Sequence, residues 1–323
     1  MVKPRVFVTR RWPRAVEAML ADKFEATFNS SDRALSVAEL REAVASADAV
    51  LPTVTDRIGP AVLETNRLRA KILANYGVGF SHIDVAAAQK WGITVTNTPD
   101  VLSECTADLA LTLMLMVARR VGEGEREVRS DGWTGWRPTH LLGTKISGKT
   151  LGIVGFGRIG RAVAKRAHHG FGMRVVTYDR AQIDAGTLAE FGAEQVPSID
   201  ELLPRCDFVS LHCPGGDENH HLIGARQFDL MKPSAFLVNT ARGEVVDERA
   251  LAHALWFDTI AGAGLDVYEG EPSILPELCG CENAVLLPHL GSATKETREA
   301  MGFRVIENLT DFFEGRTPKD MVA

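Results

Sequence analysis

The sequence holds no stretch long and apolar enough to cross a bilayer. Its longest apolar run, Leu109–Ala118, is ten residues. A membrane span needs about 20, so the run reads as a helix buried between domains. The opening residues, MVKPRVFVTR, alternate basic and apolar side chains without a continuous apolar core. They read as a first strand rather than a signal peptide. Cysteines are few: five, an odd number without regular spacing. That pattern excludes a disulfide framework and suits a reducing cytoplasm. Cys279 and Cys281 form a C-x-C pair, but no second pair and no histidine at ligand spacing accompany them, so no metal site is expected. There is no Lys/Arg-rich block, and 36 basic against 42 acidic residues give a formal charge of −6. Nucleic acid and anionic membrane are therefore poor partners. Fixed-period repeats and low-complexity tracts are absent too. What remains, at 323 residues with 45% hydrophobic and 24% charged, is a globular chain long enough for two ordinary domains.

Short β-branched runs alternate with helical stretches almost throughout. The first hundred residues carry strand patterns at RVFVT, FEATF, DAVLPT, KILANY and ITVTN, separated by segments such as RAVEAMLADK and SVAELREAVAS. This alternation predicts an α/β fold with a parallel sheet covered on both faces, here a compact flavodoxin-like domain. After the helical pattern SECTADLALTLMLMVARR and the loop SDGWTGWRPTH, strands recur at TLGIVG, RVVTYD, DFVSLHC, AFLVNT, AGAGLDV and AVLLP. Six such strands match a dinucleotide-binding sheet of the Rossmann type. The helical tail from Ser292 is too short for a third domain and is expected to pack back on the first. The expected organisation is thus two doubly wound domains. The first is discontinuous, residues 1–99 with 292–323, and the second, residues 100–291, is inserted in it.

The segment KTLGIVGFGRIGRAVAKRA carries G-x-G-x-x-G at Gly155, Gly157 and Gly160, between an apolar strand and a helical pattern. Alone the pattern is weak. In this setting the first glycine makes the tight turn, the second lets backbone approach a pyrophosphate, and the third lets helix and strand pack closely. The loop Gly155, Phe156, Gly157, Arg158, Ile159 and Gly160 then presents free N–H groups and a helix dipole to that pyrophosphate. Asp179 lies 19 residues after Gly160, close to the spacing of about 20 for an acid that binds the adenosine ribose. A carboxylate there favours NAD(H) over NADP(H). Arg180 directly after it weakens the preference, since it has the chemistry to meet a 2′-phosphate.

Three later strand patterns each end in a charged residue: Arg242 after AFLVNT, Glu271 after AGAGLDV, and His289 after AVLLP. Each alone reads as an ordinary polar residue of a turn. Together, behind a dinucleotide loop and beyond the carboxyl ends of strands, they fit one reaction. Reduction of a ketone leaves an alkoxide that needs a proton, and histidine is the usual donor near neutral pH. A carboxylate beside it favours the imidazolium and fixes the ring. An arginine can fork onto a substrate carboxylate and polarise the adjacent carbonyl. This set describes a 2-oxo acid reductase.

At this point the sequence resembles the D-isomer-specific 2-hydroxyacid dehydrogenases. GKTLGIVGFGRIG, LVNTARGEVVDERAL, GAGLDVYEGEP and LLPHLGSAT occur in the family's order, and the resemblance covers essentially the whole chain. It implies a catalytic set of Arg242, Glu271 and His289, with His289 the general acid and Glu271 holding it. It implies that the loop NYGVGFSHID grips the substrate carboxylate through the amides of Val78 and Gly79. Thr106, Thr240, Ala241, Asp266 and Gly291 would lie along the cofactor, and His212 and Pro214 on its adenosine side. Through GWTGWRPTHLLG and VFVTRRWP the chain looks most like the glyoxylate and hydroxypyruvate reductases of that family. The resemblance then implies a homodimer in which the Trp loop crosses to the partner, Trp136 either lining the neighbour's pocket or packing the interface. Short-form phosphoglycerate or D-lactate dehydrogenases share the trio and stay open, the short form being expected because the sequence ends at Ala323. A nicotinamide-sensing binding protein is the alternative of another class. Formate dehydrogenases of this fold carry Gln where Glu271 stands.

Overall fold

The computed structural model describes residues 3–65 and 67–322. Among these residues twelve strands form: β1 Arg5–Val8, β2 Glu25–Phe28, β3 Ala49–Leu51, β4 Ile72–Ala74, β5 Thr94–Thr96, β6 Thr150–Val154, β7 Arg174–Tyr178, β8 Ala193–Gln195, β9 Phe208–Leu211, β10 Phe236–Asn239, β11 Gly262–Leu265 and β12 Ala284–Leu286. The chain divides into two compact units, Met1–Leu102 with Ser292–Ala323, and Ser103–Gly291.

In the first unit the strand order is β2-β1-β3-β4-β5, with every pairing parallel. This is the flavodoxin-like order, which reverses between β1 and β3. The central strands β3 and β4 are buried throughout, whereas the edge strand β2 is not. Leu40, Val44, Val62, Leu63, Ile83 and Ile93 pack with Val50, Leu73 and Val95 of the strands. The C-terminal helix Lys295–Phe313 belongs to this unit. It lies so close to the first helix that a Cβ on Gly302 would stand 2.4 Å from Val16.

The second unit carries a seven-stranded sheet in the order β12-β11-β10-β9-β6-β7-β8, again parallel throughout. The two-residue period of a strand splits its apolar side chains between two cores. Leu151, Ile153, Val175, Phe208, Phe236 and Val238 face one. Val154, Val176, Val209, Leu211 and Leu237 face the other. Both faces are dry, which is why these strands read as continuous apolar runs. The order reverses between β6 and β9, the place where such sheets bind ligands at the carboxyl ends. Strand β8 was not among the six strands read from the sequence. Ala-Glu-Gln has little strand preference of its own, and pairing with Val175, Val176 and Thr177 of β7 forms it at the edge. Among the described residues no helix is long and apolar enough to cross a membrane.

Candidate active site

The glycine loop is built as close packing demands. Gly155 turns the chain at φ +93°, and a Cβ there would stand 2.6 Å from the Cys213 backbone nitrogen, across the β6–β9 reversal point. A Cβ on Gly160 would meet the Gly155 carbonyl at 2.2 Å. Gly157, by contrast, has nothing among the described residues within 4 Å of its Cβ position. It is the N-cap of the helix Arg158–Phe171, which receives no side-chain cap. An uncapped first turn with an open approach has the geometry to take a phosphate.

Asp179 follows β7 and closes on this loop. Its Oδ2 accepts the Phe156 N–H at 2.8 Å and its Oδ1 accepts the Ala181 N–H at 3.0 Å. Gln195 steadies the turn, donating to the Asp179 carbonyl at 3.3 Å and the Ala181 carbonyl at 2.9 Å. Arg180 leans to the other side. Its guanidinium pairs with Glu218 and donates to Asn219 Oδ1 at 2.5 Å. The pair is exposed, and such pairs hold weakly against a better partner. His212, after β9, donates or accepts at Nε2 with Ser210 Oγ at 2.8 Å. Its Nδ1 is buried without a partner among the described residues, as is Thr240 Oγ1. Burial pushes the His212 pKa down to about 3, so the ring is neutral. Pro214 beside it is exposed. Open space at Gly157, an uncapped helix and two orphaned polar atoms at neighbouring strand ends fit a dinucleotide.

Arg242, Glu271 and His289 follow β10, β11 and β12. Asn239 shapes the first turn, accepting the Ala241 N–H at 3.0 Å and donating to the Arg242 carbonyl at 2.9 Å. Arg242 donates from Nη1 to the Ala241 carbonyl at 2.6 Å and pairs with no carboxylate among the described residues. Burial lowers its pKa, against the nearby charges of Glu244 and Glu271, and a guanidinium stays charged regardless.

His289 sits in the left-handed region at φ +57°, a conformation that is costly away from glycine and that gathers at functional sites. Asp266 holds it there. The Asp266 carbonyl accepts the His289 N–H at 2.9 Å. Its carboxylate accepts Leu290 N–H at 2.6 Å and Gly291 N–H at 2.8 Å. Burial raises the Asp266 pKa, against those N–H donors. Thr106 Oγ1 adds a bond to the Gly291 carbonyl at 3.2 Å. So fixed, the ring places Nδ1 2.9 Å from Glu271 Oε2. Glu271 Oε1 accepts the Tyr268 N–H at 2.9 Å. Burial alone would push the Glu271 carboxyl up. The hydrogen bond and charge of His289, the Tyr268 N–H and the Arg242 charge outweigh it, and the net shift is downward. Glu271 is therefore ionised at neutral pH and loses that charge only as pH falls below the usual carboxylate range. A carboxylate only accepts, so Nδ1 donates and Nε2 is the ring atom left for chemistry.

In the first unit, the loop of Val78 and Gly79 follows β4, and Asn97 after β5 reaches it. Asn75 Nδ2 donates to the Gly77 and Gly79 carbonyls, each at 3.0 Å, and Asn97 Nδ2 donates to the Val78 carbonyl at 2.8 Å. His82 Nε2 bonds Asn75 Oδ1 at 2.9 Å. With the carbonyls taken, the Val78 and Gly79 N–H groups have no acceptor among the described residues. Two successive N–H groups left this way have the chemistry to serve an anion. Trp136, on the loop after the helix Val121–Arg129, is 82% exposed. Asn75, Asn97, Asn239 and Gln195 were absent from the sequence reading. Three are asparagines one or more residues around a strand end, where that side chain commonly bonds local backbone.

Comparison with known proteins gives the family. Residues 111–291 match the D-isomer specific 2-hydroxyacid dehydrogenase, NAD binding domain, family. A glyoxylate reductase of Thermococcus litoralis is 47% identical over 99% of this chain and 97% of its own. The crystal structure of a glyoxylate reductase from Paecilomyes thermophila superposes with a TM-score of 0.86 at 30% identity, covering 100% of this chain and 99% of that one. An NADPH-dependent glyoxylate/hydroxypyruvate reductase from Sinorhizobium meliloti, solved with NADP and malonate, gives 0.86 at 32% identity over 99% and 97%. The chain belongs to the D-isomer specific 2-hydroxyacid dehydrogenase family, as an NAD(P)-dependent enzyme.

Proposed function

We propose that this enzyme reduces a small 2-oxo acid, glyoxylate or hydroxypyruvate, to the D-2-hydroxy acid, glycolate or D-glycerate, with NADH the favoured reductant. The observation that carries the reading is the His289–Glu271 pair, an imidazole oriented by a carboxylate at 2.9 Å beyond a strand end of the dinucleotide sheet. A reduced nicotinamide, when bound, supplies the hydride equivalent that the carbonyl carbon accepts. His289 Nε2 gives its proton to the carbonyl oxygen as charge develops there, and Glu271 stabilises the ring while it is protonated. Arg242 holds the substrate carboxylate and polarises the carbonyl. The Val78 and Gly79 amides are the carboxylate-binding group of the first unit. Thr106, Thr240, Ala241, Asp266, Gly291, His212 and Pro214 line the dinucleotide, the last two on its adenosine side.

For the cofactor, Asp179 is the selector. Its carboxylate accepts from ribose hydroxyls and repels a 2′-phosphate. The Sinorhizobium meliloti relative uses NADPH, so the choice is open to a direct test. Asp179→Ser is expected to narrow the NADH-over-NADPH ratio of kcat/KM by about 10–100-fold, the worth of one charge-assisted hydrogen bond. Serine leaves an acceptor for the Phe156 N–H. An unaltered ratio would remove Asp179 from the ribose. We further propose a cytoplasmic homodimer, with the exposed Trp133, Trp136 and Leu142 at its interface.

The substrate reading is tested by following nicotinamide absorbance with NADH and NADPH, each against glyoxylate, hydroxypyruvate, pyruvate and phenylpyruvate. Fast NADH oxidation with the two small acids is expected. Preference for pyruvate or phenylpyruvate would overturn the substrate and leave the reaction. No turnover from protein that binds NADH would overturn the reaction itself.

A further inference from the structure

His220 and His221 follow the 3₁₀ turn Asp217–Asn219, and the chemistry above uses neither. His221 stands in the left-handed region at φ +50°. Its Nε2 lies 3.2 Å from Glu269 Oε1, and His220 Nε2 lies 3.4 Å from the same oxygen. The two rings are stacked, with centroids 3.9 Å apart. Among the described residues this is the one group of three or more His, Cys, Asp or Glu side chains whose ligand atoms all lie within 4.8 Å of one another.

Both backbones beneath the cluster are fixed. The His221 N–H donates to the Glu244 carbonyl at 2.8 Å. The Glu269 N–H donates to Glu248 Oε1 at 2.7 Å. Between them Gly243 packs so tightly on the Tyr268–Glu269 peptide that a Cβ would stand 1.8 Å from the Tyr268 carbonyl carbon. The His–Glu separations are long for charge-assisted hydrogen bonds, which close to about 2.7–2.9 Å. They are, however, the edge of a coordination tetrahedron. Zinc–nitrogen and zinc–oxygen bonds near 2.0–2.1 Å set ligand atoms about 3.3 Å apart. Two imidazoles and one carboxylate are also a donor set suited to zinc and its neighbours rather than to calcium or magnesium.

We propose that His220, His221 and Glu269 bind a divalent transition-metal cation of the zinc class, with water in the remaining position. The rings splay from their stack so that both lone pairs meet one cation, and their exposure leaves room for this. The bound cation ties the 220–221 turn to the segment that carries Glu271 two residues further on.

The experiment is calorimetric titration of zinc chloride into the full-length enzyme, with thermal melting alongside. The parent is compared with His221→Asn, Glu269→Gln and the double variant Cys279→Ser/Cys281→Ser. Asparagine tolerates the left-handed backbone, and glutamine keeps the main-chain bond to Glu248. The zinc-free variants are checked for parental melting temperature and NADH binding, so that a fold defect is told apart from a lost ligand. The parent and the cysteine variant are expected to bind one equivalent of zinc and to melt higher with it. His221→Asn and Glu269→Gln are expected to bind at least about tenfold more weakly. Equal binding by all four proteins, loss of binding in the cysteine variant, or no binding by the parent up to the solubility limit of zinc would each overturn the site.

Discussion

Replacing His289 by alanine is expected to lower kcat for 2-oxo acid reduction by at least about 10²–10⁴-fold, the usual worth of a positioned acid, while NADH binding survives. The ring has been placed at some cost. Its backbone is left-handed at φ +57°, and a set of bonds from Asp266 and Thr106 holds the turn against that strain. Glu271 then removes the remaining freedom of the ring through Nδ1. None of this makes a contact that only a stable fold needs, since the side chain is about one-third exposed. The variant is therefore expected to fold, bind NADH with parental affinity by fluorescence titration, and fail in turnover. An effect on kcat with little change in KM would mark an interaction made chiefly in the transition state. Parental turnover in His289→Ala would remove the general-acid role and, with it, the reason for the Glu271 contact.

The parts of this enzyme that were legible in the sequence are those whose cause is local. Strands such as RVVTY and FLVN announce themselves because both faces of a parallel sheet are dry, so their central positions are apolar or β-branched. The glycine loop is legible because backbone sterics allow no other residue at Gly155 and Gly160. What was not legible depends on closure between distant segments. Ala193–Gln195 has no apolar pattern and is a strand only because β7 offers it an edge, yet its Gln195 fixes the turn behind Asp179. Asn75 looks like an ordinary residue after a strand. Its value lies in the two carbonyls it captures, which fix the loop of Val78 and Gly79. His221 and Glu269 of the cluster lie 48 residues apart in the sequence. Nothing in either segment foretells the close packing on Gly243 that joins them. The left-handed turn at His289 is of the same kind: the sequence shows a histidine after a strand, and only the folded Asp266 shows how it is held.

Arg242→Lys is expected to reduce kcat/KM for glyoxylate by about 10²–10³-fold, the range found when one preorganised donor to a developing oxyanion is lost. The substitution keeps a positive charge, so a large loss would assign the effect to the shape of the guanidinium. Among the described residues that group makes one hydrogen bond, from Nη1 to the Ala241 carbonyl. Its other donors are free to form a planar fork. Burial already works against its charge, which raises the strength of any anion it meets, because little water remains to screen the pair. A lysine at the same depth presents a single point charge and deprotonates far more readily on burial. It therefore loses both the fork and part of the field. The effect should divide between the kinetic constants. The carboxylate grip is made in ground and transition state alike and appears in KM, whereas polarisation of the carbonyl strengthens as the oxygen gains charge and appears in kcat. Exchange of glyoxylate for an aldehyde without a carboxylate separates the two, since only polarisation remains for Arg242 to supply. If Arg242→Lys turns over glyoxylate at the parental kcat/KM, a simple charge suffices there, and the substrate carboxylate is held by other groups.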